Sequence, residues 1–236
     1  MLAADHSIHQ HRQPDHRAER NSVSLLVINL RRALNLPRKL ISDMDNSLLL
    51  TQFRQVYKLS EKDCARLVPL FESFAIKKNQ HLFQQGDIAK YVYFIEEGCL
   101  RQYYINNNGE ERTIYFKAEG GWASELVSFL DNTPTELNLQ ALEDSKLQII
   151  NQKNWIYAVT QIHSFTMGFI RAQQDTNYML KKRLAEATVE TPEEKYLRFI
   201  KEEPILLQRI PLYHIASYLA MTAETLSRIR KKITQK

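Results

Sequence analysis

The sequence predicts an α+β chain: an antiparallel roll of the jelly-roll kind, then a long helix, then a small all-helical domain with a helix-turn-helix. Three observations predict it. Apolar residues alternate with a period of two between His81 and Ile150, broken by turn residues. A helical period returns at Asn151 and persists. The last 32 residues, 205–236, hold six basic side chains against the single acid Glu224, which accounts for the whole formal charge of +5 on the 236-residue chain. A neutral body with a basic C-terminus suits contact with a phosphate backbone, although a solvated basic tail has the same composition.

At 44% hydrophobic residues the chain can bury a core in each of two domains. No apolar run approaches the roughly 18 residues of a membrane span. The longest candidate, Val23 to Leu30, contains Ser24 and Asn29 and is closed by Arg31 and Arg32. Some twenty polar residues precede it, so it does not read as a signal peptide, and a cytoplasmic location with no membrane partner is expected. Residues 1–45 read as a disordered extension, with Met44 as an alternative start. His6, His9, His11 and His16 lie there without the spacing of a metal site, and no metal or other cofactor is expected. Cys64 and Cys99 are the only cysteines, too few within one chain for a disulfide framework or a four-thiolate cluster.

Two short helices fit Leu48 to Tyr57 and Ser60 to Phe74, with Ser60 three residues before Asp63 as a start signal. Strands follow at His81–Phe83, Tyr91–Ile95, Cys99–Ile105, Arg112–Phe116, Leu137–Ala141 and Lys146–Ile150. The turn Asn106-Asn107-Asn108-Gly109 makes the third and fourth a hairpin. Beyond Asn151, Ile162, Phe165, Phe169, Ala172, Thr176 and Met179 recur at steps of three and four, as a helix packed along a partner requires. Packing against the chain's own β domain gives the same spacing; the expectation taken forward is a homodimer seam. Thr191-Pro192-Glu193-Glu194 is a capping box opening the next helix. The expected domains are 46–160, 161–188 and 189–236.

In the last of these, Ile215, Ala216 and Leu219 share one face of a short helix, Ala220-Met221 makes a turn, and Thr222 caps a second helix. There Leu226 and Ile229 face inward. Thr222, Glu224, Thr225, Ser227, Arg228, Lys231 and Lys232 are left to a polar surface suited to a major groove, Arg228 being able to grip guanine with two hydrogen bonds.

This order of parts resembles the Crp/Fnr family over residues 48–236. The resemblance rests on Gly86-Asp87 followed by Tyr93-Phe94-Ile95, Gly98, Leu100 and Arg101, on Trp122-Ala123-Ser124-Glu125-Leu126, on the long helix, and on Thr222 to Ile229. It implies a cyclic-nucleotide-binding-like roll, a dimerisation helix, and a C-terminal winged helix-turn-helix reading palindromic promoter DNA, with RNA polymerase as a possible further partner. The family's DNA-reading Glu and Arg fall on Glu224 and Arg228, while Ala223 stands where a further Arg is often found. Two departures stand out. No wing hairpin is expected after the second helix, so the wing reads as truncated. In nucleotide-binding relatives a Gly-Glu pair and, about ten residues on, an Arg-Ser or Arg-Thr pair hold the ribose and the phosphate. In a gapless alignment the effector pocket falls on Glu125, Thr135 and Glu136, with the phosphate-binding Arg lost, so the effector is an unknown small molecule. A regulatory module acting on a protein partner is the rival reading. An enzyme is not expected, because the stretch His81–Ile150 offers only one histidine.

Overall fold

The computed structural model describes residues 47–187 and 189–234. The expected extension 1–45, its histidines and Met44 lie outside the described residues. The first helix, α1 (Leu48–Gln55), is capped by Ser47, whose hydroxyl accepts from the Leu50 amide at 3.2 Å. The Glu96 carboxylate takes the amides of Leu48 and Leu49 at 2.7 and 3.2 Å, tying this helix to the roll. Helix α2 (Glu61–Leu67) starts as expected on Ser60, which caps the Asp63 amide at 3.1 Å. It does not reach Phe74. Pro69 lies in a single 3₁₀ turn, Val68–Leu70, and its missing N–H bars continuation of the helix. The chain instead opens into β1 (Glu72–Ile76), an edge strand of which only Ile76 is buried, so its sequence carries no alternation to read.

Seven further strands follow: β2 (His81–Phe83), β3 (Tyr91–Glu97), β4 (Leu100–Ile105), β5 (Glu111–Lys117), β6 (Trp122–Ala123), β7 (Asn138–Ala141) and β8 (Ser145–Asn151). They form two four-stranded antiparallel sheets, ordered β1-β8-β3-β6 and β2-β7-β4-β5, with Tyr93 opposite Ile149 in one and Gln102 opposite Leu139 in the other. Phe94, Ile95 and Leu147 from the first sheet and Phe83, Leu100 and Leu139 from the second share one core with Leu49 and Phe53 of α1. This is the expected roll. Gly98, at φ +111°, turns β3 into β4; a Cβ there would lie 2.1 Å from the Ser145 hydroxyl oxygen. The β4–β5 hairpin closes on Asn106, whose side-chain oxygen accepts from the amides of Asn108 and Glu110, both at 2.9 Å.

A short helix, α3 (Leu126–Asp131), sits between β6 and β7. After β8, Asn151 caps α4 (Gln152–Gln161), Ile162 leaves helical geometry, and α5 runs from His163 to Ala187. Part of the expected dimer seam, on the inward face of α5, is covered by the chain itself. Ile162 and Phe165 are 1% exposed and belong to the roll's own core. Phe169 packs edge-on against Trp155, ring centroids 4.8 Å apart, while Ala172 and Thr176 line a cavity beside the roll. Only Met179, of the six, is exposed. Spacing identified a packed face, and for Ile162, Phe165 and Phe169 the covering surface is the chain's own. Gly168 permits this close approach, since a Cβ there would meet the Tyr57 ring at 2.5 Å.

The last four helices are α6 (Pro192–Glu202), α7 (Pro204–Arg209), α8 (Leu212–Tyr218) and α9 (Ala223–Thr234). Helix α6 opens on the expected capping box of Thr191 and Glu194. Among the described residues no strand follows α9. Tyr196, Phe199, Leu206, Ile215 and Leu226 form a second core, and Cys99, Phe116 and Leu142 of the roll enter it. Replacing Phe169 by Ala removes a ring from the α4–α5 contact and should lower stability by about 2 to 3 kcal/mol in urea unfolding; a variant as stable as the native protein would show that this ring does not hold α5 to the roll.

Candidate nucleic-acid interface and its attachment to the roll

The two helices of the motif meet at a turn in which Ala220 takes a left-handed conformation (φ +54°) and the Met221 amide bonds the Ala216 carbonyl at 3.0 Å. The Thr222 hydroxyl caps α9 by accepting from the Thr225 amide at 3.2 Å. Leu226 and Ile229 are buried against α8 and its neighbours, which leaves Thr222, Glu224, Ser227, Arg228, Lys231 and Lys232 exposed and Thr225 half-buried. Glu224, Arg228 and Lys231 follow at i, i+4 and i+7 on one face. Arg228 has no ion-pair partner among the described residues, whereas Lys232 pairs with Glu193 of α6. The backbone amide at the helix start, and then the Thr222 hydroxyl, hold the Glu224 carboxyl below the usual range.

Helix α8 is fixed to β5 by polar contacts. The Ser217 hydroxyl donates to the Glu111 carbonyl at 2.7 Å and accepts from the Thr113 amide at 3.0 Å. Arg183 of α5 donates to the carbonyls of Ile114 (2.8 Å) and Tyr218 (2.6 Å) and lies 3.6 Å from the Tyr218 ring centroid. Arg209 bridges Glu119 at 2.8 Å and also contacts Glu143, and this guanidinium holds the Glu119 carboxyl down to about 2. At the centre Arg101, 1% exposed, stacks over Tyr103, donates to the Glu111 carboxylate at 2.6 Å and meets Nδ1 of His214. None of these attachments was read from the sequence. An arginine within a strand that is otherwise largely apolar was the available signal for Arg101, and its complement His214 lies 113 residues away.

Two of the expected effector residues, Glu125 and Thr135, have hydrogen-bond partners of their own. The Glu125 carboxylate caps α3, accepting from the amides of Val127 at 3.2 Å and Ser128 at 2.7 Å. Thr135 is buried, its backbone paired with Gly86 and Asp87 and its hydroxyl bonded to the Leu137 amide. Glu136 is exposed. A helix start attracts an anion, and here Glu125 supplies it; among the described residues no arginine is hydrogen-bonded or ion-paired to these three groups. The set does not fit a cyclic nucleotide. Both cysteines are buried, their thiols pushed up by desolvation to about 11 for Cys64 and about 12 for Cys99.

Residues 74–161 match the cyclic nucleotide-binding domain. The fumarate and nitrate reduction regulatory protein of Escherichia coli K12 is 24% identical over 189 residues, covering 73% of each chain. Among solved structures, FixK2 from Bradyrhizobium japonicum aligns with a TM-score of 0.62 at 16% identity over 70% of this chain and 85% of that one. The c-di-GMP-responsive global regulator CLP of Xanthomonas campestris aligns at 0.56 and 16% identity over 75% and 92%. Fold and order of parts thus define a sensor-type β-roll joined by a long helix to a helix-turn-helix. The chain is similar in sequence and in fold to transcription regulators of the Crp/Fnr type.

Burial, then the Arg101 cation, pushes the His214 pKa from 6.5 down to about 3. The unfolded chain takes its proton near pH 6.5 and the folded chain only near 3, so stability present above pH 6.5 falls as pH drops through that window, by up to about 1.4 kcal/mol per pH unit. His214→Gln should flatten this stretch of the stability profile in urea titrations; an unchanged slope would assign the acid sensitivity to other groups.

Proposed function

We propose that the protein is a cytoplasmic homodimer that reads palindromic promoter DNA through α9, with no catalytic role. The observation that carries this is the exposed Glu224–Arg228–Lys231 face on a helix whose opposite side is locked by Leu226 and Ile229. In the major groove Arg228 reads a base and Lys231 contacts phosphate. No helix among the described residues is long and apolar enough to cross a membrane. The outward face of α5, with Ile170, Tyr178 and Leu184 exposed, is the surface offered to a second copy, together with the exposed Met179 of the seam first expected. The protein-partner reading gains no comparable support, because it leaves the basic face of α9 without a use.

Arg228→Ala should cost about 1 to 3 kcal/mol of DNA affinity and relax sequence preference, whereas Lys231→Ala should weaken all sequences alike and shallow the salt dependence. Fluorescence anisotropy across a salt series separates the two, and an Arg228→Ala protein with native affinity and specificity would overturn the assignment.

The effector is not cyclic AMP or cyclic GMP. A charge-assisted bond from arginine to the cyclic phosphate, worth about 1.5 to 3 kcal/mol, has no donor beside Glu125, Thr135 and Glu136. Isothermal titration should find affinities no tighter than the high micromolar range; low-micromolar binding that raises DNA affinity would contradict this.

A further inference from the structure

Between α1, β5, β6 and α5 lies a cavity of about 660 Å³, within the span of roughly 300 to 1,000 Å³ typical of small-molecule sites. Glu125, Thr135 and Glu136 are not on its walls. Tyr57, Tyr115, Trp122 and Phe169 bring aromatic rings to those walls, and Ser124, Gln173 and Thr176 add hydrogen-bonding groups. Its charged residues are Lys117, Arg171 and Asp175, a balance of one positive charge. Lys117 is half-buried beside the Tyr115 ring, its ammonium 5.4 Å from the centroid, and has no hydrogen bond or ion pair among the described residues. Burial lowers its pKa, offset only in part by the more distant Glu203.

We infer that this cavity binds a small organic monoanion with an apolar body, such as an aromatic carboxylate, and that Lys117 is its charge anchor. A cation taken partly out of water without a partner is destabilised, and an incoming carboxylate supplies the missing pairing. The aromatic walls take the apolar body, and the net charge of the lining matches one negative charge. Lys117 also lines a second cavity, of about 260 Å³, which continues along α5 to Arg183, Glu203 and Tyr218. A ligand at Lys117 therefore competes with Glu203 for the same cation, at the point where the roll meets the DNA-reading half. That consequence rests on the regulator reading above; the binding site does not.

The test uses the full chain and two fluorescent probes, the anion 1-anilinonaphthalene-8-sulfonate and the neutral N-phenyl-1-naphthylamine. One molecule of the anionic probe should bind per chain, and Lys117→Met should weaken it about tenfold or more, a change of about 1.4 kcal/mol. Lys117→Arg should retain binding, and the neutral probe should bind native and Lys117→Met proteins alike. Circular dichroism confirms that each variant is folded. Equal affinity of the anionic probe for native and Lys117→Met protein, absence of saturable binding, or loss of binding in Val127→Glu on the exposed α3 surface would each overturn the assignment. DNA affinity is read separately by anisotropy on the same preparations, so a protein that fails to bind DNA counts against the regulator reading and leaves the probe result standing.

Discussion

A guanidinium sealed from water is costly unless its protons are taken and its charge is balanced. Arg101 meets most of this constraint with groups from both halves of the molecule: the Glu111 carboxylate one strand away, the Tyr103 ring beneath it, and the unprotonated nitrogen of His214 on α8. Its Nε has no partner. Moving α8 off the sheet would take His214 from the guanidinium, which makes the attachment of the helix-turn-helix specific as well as stable. The requirement runs both ways, since His214 accepts at Nδ1 only while neutral, and its surroundings keep it so.

Around that centre the second core extends the attachment. Cys99, Phe116 and Leu142 belong to the roll in sequence but pack with Phe199, Ile215 and Leu219 of the C-terminal helices. Phe116 and Tyr218 rings lie 5.2 Å apart, and Arg183 spans from α5 to both β5 and α8. The roll, the long helix and the DNA-reading motif therefore share side chains at one junction. A change in how α5 lies on β5 reaches α8 through these contacts, and α8 carries α9 through the buried Leu226. The junction is a physical link between the roll and α9, and it is built from packing and hydrogen bonds.

Most of the roll is legible in the sequence because its strands are short runs rich in apolar and aromatic residues set between turn residues, and because Asn106 and Gly109 specify the hairpin between β4 and β5. The helix-turn-helix is legible for a similar reason: a twelve-residue helix with two buried positions and a polar remainder leaves one face to the outside. Strand β1 is not legible, since an exposed edge has no apolar period, and its place in the roll comes from pairing with β8, some 70 residues on. The α5 seam shows the other limit. Steps of three and four reveal that a face is covered but not what covers it, and Phe165 and Phe169 find Trp155 of the same chain. For Glu125 the sequence did not announce that its carboxylate caps α3, where the helix start satisfies its unpaired amides with the nearest carboxylate.

The claim on which the account rests is that two copies of α9, related by a two-fold axis, read DNA sequence. Genome-wide mapping of the DNA bound by the native protein in cells tests it directly. The account predicts one enriched inverted repeat whose half-sites are centred about one helical turn, roughly 34 to 36 Å, apart. Bound DNA with no shared motif, or a motif without two-fold symmetry, would contradict it.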